Sequence, residues 1–154
     1  MKKSINLAIL IVLVILVTAF IFSNSMKNSA ESNGTSDKYI SLLAPITNFF
    51  DSIFGELNWE YIIRKCAHLT EFGLLGMIVT FLVNNVKKYI GWHLFGYSLF
   101  YVLLVAVTDE FIQSFSDRTS SVKDVFIDLA GALLGIIIVT LISSRKAKRE
   151  EQCH

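Results

Sequence analysis

The sequence is poor in the residues that define several classes of protein. One proline and eight glycines in 154 residues exclude collagen-like and proline-rich chains. Two cysteines cannot form the disulfide framework of a small secreted domain. Net charge is also nearly absent, at +1, whereas nucleic-acid-binding modules are usually distinctly basic, so nucleic acid is not an expected partner. The remaining classes are a very apolar globular domain and a membrane protein.

Apolar residues, by contrast, are in excess. They make up 53% of the chain, against roughly 45–50% in ordinary soluble proteins. Residues 5–22 form an uncharged run that follows Lys2 and Lys3. About 20 apolar residues cross a hydrocarbon core of about 30 Å, so this run just suffices. A cleaved signal peptide has a shorter apolar region and an A-x-A-like cleavage site, and neither is evident here. The run therefore predicts an uncleaved membrane anchor.

Three further apolar blocks indicate three more membrane spans. Each block is too short to cross the membrane comfortably, but each becomes long enough when it is extended through an adjoining polar segment. The blocks are 72–83, 94–108 and 129–142, and their extensions are 62–71, 109–115 and 122–128. We therefore predict an all-α membrane protein, a four-helix transmembrane bundle with an amphipathic helical segment in its first outer loop.

The distribution of charge predicts the orientation of the four spans. One side carries eight basic and two acidic residues, or +6, and the other carries six basic and eleven acidic residues, or −5. Because cytoplasmic segments of membrane proteins are enriched in Lys and Arg, the +6 side is the expected cytoplasmic side. We expect a multi-pass protein of the cell membrane with both termini in the cytoplasm.

The predicted spans divide the chain into four parts. These are a cytoplasmic start and first span (1–22), an outer loop (23–61), a three-helix region (62–143) and a basic cytoplasmic tail (144–154). The first part of the loop, 23–37, is rich in Ser and Asn and is expected to be flexible. Residues 39–57 have the apolar spacing of an amphipathic helix, interrupted near its start by Pro45. Such a helix either lies on the outer membrane surface or packs on the bundle.

Three predicted helices carry ionisable residues at one depth. At 1.5 Å per residue, His68, Asp109 and Asp128 all lie roughly 21–23 Å above the cytoplasmic boundary, which places them in the outer third of the bilayer. Charges in a span cost about 2.5–3.5 kcal/mol each on insertion scales and are usually functional. The candidate site residues are Arg64, Lys65, His68 and Glu71 on the second span, Asp109, Glu110 and Gln113 on the third, and Arg118, Lys123, Asp124 and Asp128 around the start of the fourth.

Two interpretations of this polar layer remain open. The four basic residues can neutralise the carboxylates in an intramembrane ion-pair network. Alternatively, the carboxylates can bind a divalent cation, although the sequence requires no cofactor. His68 is equally compatible with a structural role and with a role as a general base or metal ligand. Gly131 and Gly135 form a G-x-x-x-G pair, which predicts close packing of that helix face.

The same residues resemble the VanZ-like family of membrane proteins. RKCAHLTEF at 64–72 is similar to the family's R-K-x-A-H-x-x-E-[YF] segment, and DEFIQ at 109–113 is similar to its D-E-x-x-Q. Arg118, SVKDV at 121–125 and DLAG at 128–131 resemble its third motif. Members often have Pro-Gly where this chain has Ser116-Asp117. The resemblance implies a bacterial envelope protein related to resistance to teicoplanin, a lipid-bearing glycopeptide that acts outside the membrane.

Several hypotheses about function follow. The first is a membrane factor whose partners are membrane lipids, in particular a lipid-linked envelope precursor that it binds or to which it alters access. In this case an anionic head group would be held by four basic residues, Arg64, Lys65, Arg118 and Lys123. The second is an intramembrane enzyme that modifies such a molecule by acid–base chemistry, with catalytic roles for His68, Glu71, Asp109 and Glu110. A proton-coupled transporter is a weaker alternative, because four spans show no inverted repeat.

Overall fold

The computed structural model describes residues 2–27, 29–86, 94–116 and 121–152. Six helices lie in these ranges, and no strand does. The helices are α1 (Lys2–Ser25), α2 (Ser29–Leu42), α3 (Ala44–Phe54), α4 (Trp59–Val86), α5 (Leu94–Gln113) and α6 (Val122–Gln152).

Four of these helices are long and apolar enough to cross a membrane. The apolar windows are Asn6–Ser25, Trp59–Val86, Phe95–Gln113 and Val122–Arg145. The predicted all-α fold with four membrane spans is therefore confirmed. Large apolar side chains on the outside of all four helices, such as Ile15, Leu74, Leu104 and Ile138, are exposed, as expected for surfaces that face lipid.

The core lies where α1, α4, α5 and α6 face one another. Its buried apolar residues include Ile21 of α1, Phe72 and Leu75 of α4, Val102 of α5 and Ile136 of α6, all with 0% exposure. Apolar packing of this kind brings the ends of the four helices together. It thereby fixes the positions of the polar residues that lie near those ends.

Glycines allow α4 and α6 to form the most extensive helix pair of the bundle. A Cβ atom added to Gly131 would overlap the Leu69 carbonyl oxygen, and one added to Gly135 would overlap that of Gly73. Since only glycine lets the two backbones approach this closely, these positions determine the distance between α4 and α6.

The first loop contains more helix than the sequence predicts. Residues 29–42, most of which belong to the stretch expected to be flexible, form α2, which packs against α4. Ser36 is buried there and donates to the Ser32 carbonyl oxygen at 3.2 Å. Tertiary packing overrides the weak helix propensity of this Ser- and Asn-rich segment.

The helical segment is interrupted beside Pro45, as the sequence predicts, and a new helix, α3, begins there. Pro45 lies in the first turn of α3, where its missing N–H group costs no hydrogen bond. The amphipathic segment is therefore divided between the end of α2 and α3, and α3 ends at Phe54, followed by the C-cap residue Gly55, whose φ is +83°. Ile46, Phe49, Ile53 and other apolar residues of α3 are exposed.

Candidate functional site

A histidine and two aspartates from three different spans meet inside the bundle. His68 of α4, Asp109 of α5 and Asp128 of α6 each offer one potential ligand atom, and these atoms lie within 4.8 Å of one another. The Nδ1 atom of His68 is 3.4 Å from Asp128 Oδ1 and 3.9 Å from Asp109 Oδ2. Both aspartates have 0% exposure. We call these three residues the His–Asp–Asp cluster.

Side chains from α1 and α5 hold Asp109 in place. Ser25, at the end of α1, donates its hydroxyl hydrogen to Asp109 Oδ1. Gln113, one turn along α5, donates from Nε2 to Asp109 Oδ2 at 2.7 Å. The Ser25 carbonyl oxygen in turn accepts a hydrogen bond from Ser116 Oγ at 3.0 Å. The carboxylate therefore has a fixed position and orientation.

Asp128 differs because neither of its carboxylate oxygens has a hydrogen-bond partner in the described part of the chain. The His68 Nδ1 atom likewise makes no hydrogen bond there, although it approaches Asp128 closely. Leaving a buried carboxylate without a partner is costly in free energy. The cluster therefore has unused capacity to bind a cation or a proton.

The Glu110 side chain contacts the start of α6, whereas its neighbour Asp109 belongs to the His–Asp–Asp cluster. Its Oε2 atom accepts a hydrogen bond from the Ser121 backbone N–H at 2.8 Å, immediately before α6 begins. Ser121 Oγ also accepts from the Lys123 N–H at 3.2 Å, as expected of a helix N-cap. Glu110 therefore joins the end of α5 to the start of α6.

Lys65 and Asp124 form an ion pair at the edge of the site. Lys65 Nζ is 2.5 Å from Asp124 Oδ1, and both side chains are 17% exposed. The lysine also lies over the Tyr61 ring, 5.2 Å from its centroid. Lys65 thus neutralises Asp124 and not a residue of the His–Asp–Asp cluster.

A polar cavity of about 350 Å³ opens between α1, α2 and α4. Arg64, His68 and Glu71 lie along its α4 wall, and Lys27 lies beyond the end of α1. Glu71 Oε1 accepts a hydrogen bond from Asn24 Nδ2 at 2.9 Å. The residues that α2 contributes are Ser32, Thr35, Ser36 and Tyr39. We call this space the polar cavity.

An apolar groove of about 510 Å³ adjoins the polar cavity. It lies between α4 on one side and the α2–α3 segment on the other. The cavity and the groove share four lining residues, which are Tyr39, Ile63, Ala67 and Glu71. The other lining residues of the groove are Leu43, Ile46, Thr47, Trp59, Ile62, Cys66 and Thr70. The two spaces together offer a polar end and an apolar end.

The structure separates the predicted site residues into several environments. His68, Asp109 and Asp128 form the cluster, and Arg64 and Glu71 line the cavity. Gln113 supports Asp109, Glu110 caps α6, Lys65 pairs with Asp124, and the two glycines face α4. Lys123 is exposed. Arg118 lies outside the described residues.

Sequence reasoning missed the contribution of α1 and α2. Asn24, Ser25 and Lys27 bond to or lie beside the site, and the hydroxyl groups of Ser32 and Ser36 belong to its α2 wall. The available signal was the polar run at 23–27 that directly follows an apolar span. In a bundle, that run lies near the polar ends of the neighbouring spans.

Comparison with known proteins agrees with the resemblance in the motifs. The family model described as VanZ/LLP1 matches residues 8–143, a range that includes the first loop and nearly all of the four spans. No curated protein and no solved structure gave a significant match. Because the family model covers most of the chain and includes the three motifs, this membrane protein belongs to the VanZ/LLP1 family.

Proposed function

We propose that the protein binds an anionic, lipid-linked envelope molecule at the outer face of the cell membrane, and thereby lowers susceptibility to lipid-bearing glycopeptide antibiotics such as teicoplanin. The observation that supports this proposal most directly is that the polar cavity and the apolar groove are adjacent and share four lining residues. A molecule with a charged head group and a hydrocarbon chain matches both spaces at once.

Charge complementarity favours an anionic head group. Arg64 makes no ion pair with any described residue, and Lys27 Nζ donates to an amide oxygen, Asn24 Oδ1, at 2.8 Å. A guanidinium group binds phosphate and carboxylate groups through paired hydrogen bonds. The two cations of the cavity are therefore available for the head group.

The apolar groove suits the hydrocarbon part. Its walls are mostly apolar side chains, such as Leu43, Ile46, Ile62 and Trp59. Removing hydrocarbon from water contributes about 0.8 kcal/mol for each buried CH₂ group. A chain that already lies in the bilayer gains less, so the groove serves mainly to orient the molecule.

The outer-face location rests on the distribution of basic residues. Three clusters, Lys2 and Lys3, Lys87 and Lys88, and 145–149, belong to one side of a four-span protein. The positive-inside rule assigns that side to the cytoplasm. Both termini are then cytoplasmic, and the α2–α3 segment and the polar cavity face outward.

Lipid binding by the purified full-length chain tests the proposal. Native mass spectrometry in detergent would compare retention of added phosphatidylglycerol with that of phosphatidylcholine. We expect the wild type to prefer the anionic lipid, and Arg64→Ala or Lys27→Ala to weaken that preference by about 10–150-fold, the equivalent of about 1.5–3 kcal/mol for a hydrogen bond to a charged group.

Lys38→Ala is the matched control, because Lys38 is an exposed lysine of α2 that does not line the cavity. It should retain the wild-type preference. An equal loss in the control and cavity variants, or no preference for anionic lipid in the wild type, would contradict the proposal. In cells, expression of the wild type should reduce teicoplanin susceptibility and expression of Arg64→Ala should not.

A second candidate function is an intramembrane enzyme that modifies the bound molecule. The observation that favours it is the presence of His68 and Glu71 on the wall of the polar cavity, where a head group would lie. Chemical analysis of the lipids recovered from the binding experiment separates the two functions. Unchanged lipids indicate a binding factor, whereas a new lipid product that Glu71→Gln abolishes indicates an enzyme.

A further inference from the structure

We propose that the His–Asp–Asp cluster is a binding site for a divalent transition-metal cation, with His68, Asp109 and Asp128 as the protein ligands. This inference depends on the geometry of the cluster and not on the identity of the molecule in the polar cavity.

The distances between the ligand atoms suit a small cation. For metal–ligand bonds of about 2.0–2.1 Å in a tetrahedral site, neighbouring ligand atoms lie about 3.3 Å apart. His68 Nδ1 and Asp128 Oδ1 are 3.4 Å apart, and His68 Nδ1 and Asp109 Oδ2 are 3.9 Å apart. All three ligand atoms lie within 4.8 Å of one another, so side-chain shifts of about 1 Å or less bring them to the spacing of a tetrahedral site.

The lack of hydrogen bonds to the buried Asp128 carboxylate, whose nearest basic group is His68 at 3.4 Å, is the second, independent observation. Its side chain is 1% exposed, and neither oxygen has a hydrogen-bond partner among the described residues. Together with His68 Nδ1, which also makes no hydrogen bond there, this places three buried ligand-type atoms without hydrogen bonds at one point. A cation bound there would replace the missing partners of all three.

Charge balance also favours a dication. In the described ranges, no lysine or arginine forms an ion pair with Asp109 or Asp128, since Lys65 is paired with Asp124. His68 lies within 4 Å of both aspartates and can supply at most one positive charge, which leaves a net negative charge that is costly in a membrane-spanning bundle. A metal ion of charge +2 would neutralise both.

The surroundings of Asp109 resemble the outer shell of a metal site. Carboxylate ligands of metals are themselves held by hydrogen bonds, which orient them and are important for affinity. Ser25 and Gln113 donate to Asp109 in this way. They orient one ligand, whose Oδ2 atom lies 3.9 Å from His68 Nδ1.

The donor set favours zinc or manganese over magnesium and calcium. One imidazole nitrogen with two carboxylates suits Zn²⁺, whereas Mg²⁺ and Ca²⁺ prefer sites made wholly of oxygen atoms. Three protein ligands also leave at least one coordination position for water or a bound molecule. His68 is shared with the wall of the polar cavity, so that position is near the proposed head-group site.

Metal analysis of the purified full-length protein in detergent tests this inference. The protein would be treated with a chelator, dialysed against Zn²⁺, Mn²⁺ or Mg²⁺ in separate samples, and analysed for bound metal and for its midpoint of thermal unfolding, Tm. We expect one Zn²⁺ or Mn²⁺ per chain, with a rise in Tm, and little binding of Mg²⁺.

Asp128→Asn should weaken metal binding by more than the 10–100-fold typical of outer-shell substitutions, since it removes a ligand. Asp109→Asn provides a second ligand variant if the first does not fold. Asp124→Asn is the matched control, one turn earlier on α6 and paired with Lys65. The inference is overturned if the wild type binds no stoichiometric metal, or if both ligand variants bind as tightly as the control. Because no lipid is added, a failure here is distinct from a failure of the proposed lipid binding.

Discussion

At the scale of single residues, four carboxylates that look equivalent in the sequence have different partners. Asp109 accepts two side-chain hydrogen bonds, Glu110 caps α6, and Asp124 pairs with Lys65. Asp128 alone has no hydrogen-bond partner in the ranges that the structure describes. A buried carboxylate without hydrogen bonds is the group from which binding is most expected, whereas Glu110 and Asp124 have structural roles and Asp109 is oriented by its two donors.

Ser25→Ala should destabilise the folded protein. The substitution removes one of the two hydrogen bonds to the buried Asp109 carboxylate, and hydrogen bonds to charged groups contribute about 1.5–3 kcal/mol. We expect a lower Tm for the purified, metal-free protein. Ser23→Ala is the control, since Ser23 is exposed on the same helix. Equal Tm values for the two variants would show that the Ser25 hydroxyl does not support Asp109.

At the scale of helices, the sequence predicts the spans but not the partners of each helix. Apolar runs predict four membrane spans, because length and hydropathy decide whether a segment can cross a bilayer. Helical phase likewise places Arg64, His68 and Glu71 close together on one helix. It does not predict that Asn24 bonds to Glu71 or that Ser25 bonds to Asp109, since these contacts depend on how α1 is rotated against α4 and α5.

The first loop also shows that contacts between helices cannot be predicted from the local sequence. A run rich in Ser and Asn has low helix propensity, so the sequence predicts a flexible segment at 23–37. In the structure α2 lies against α4, and its hydroxyl groups bond to carbonyl oxygens one turn earlier, as Thr35 does to Glu31 at 3.0 Å. Burial against a neighbouring helix is a tertiary effect, and no local pattern in the sequence reports it.

The packing of α4 on α6 gives a prediction at this scale. Gly131→Ala or Gly135→Ala places a methyl group against a backbone carbonyl of α4, which cannot move as a flexible side chain can. We expect destabilisation of about 1–3 kcal/mol, measured as a lower Tm in detergent.

Gly96→Ala is the matched control for the glycine variants. It makes the same chemical change in α5, where an added Cβ would meet no atom within 4 Å. Because alanine favours helix over glycine by about 1 kcal/mol, this variant should be as stable as the wild type or more so. If all three variants had the same Tm, the close packing of α4 on α6 would not explain any change in stability.

At the scale of the whole molecule, the small net charge conceals a strong separation. The predicted four-span topology divides the total of +1 into +6 on one side of the membrane and −5 on the other. The acidic excess lies on the same side as the polar cavity and the α2–α3 segment. Arg64 and Lys27 are therefore two cations on a face that is acidic overall. Because an acidic face does not attract anionic lipids in general, we expect a head group to be selected by specific contacts with these two residues.

This separation predicts the orientation of the protein in the cell membrane. Ser41 is exposed on α2, so a Ser41→Cys variant that lacks Cys66 and Cys153 carries one thiol on the expected outer side. A second variant, Cys66→Ser alone, retains Cys153 in the basic tail as the reporter for the cytoplasmic side. A membrane-impermeant maleimide applied to intact cells should label the first variant and leave the second unlabelled, because the positive-inside rule places the tail in the cytoplasm. After lysis both should react, and this result controls for the reactivity of each thiol. Labelling of Cys153 in intact cells would show that the orientation is opposite to the predicted one. The polar cavity would then face the cytoplasm and not the envelope.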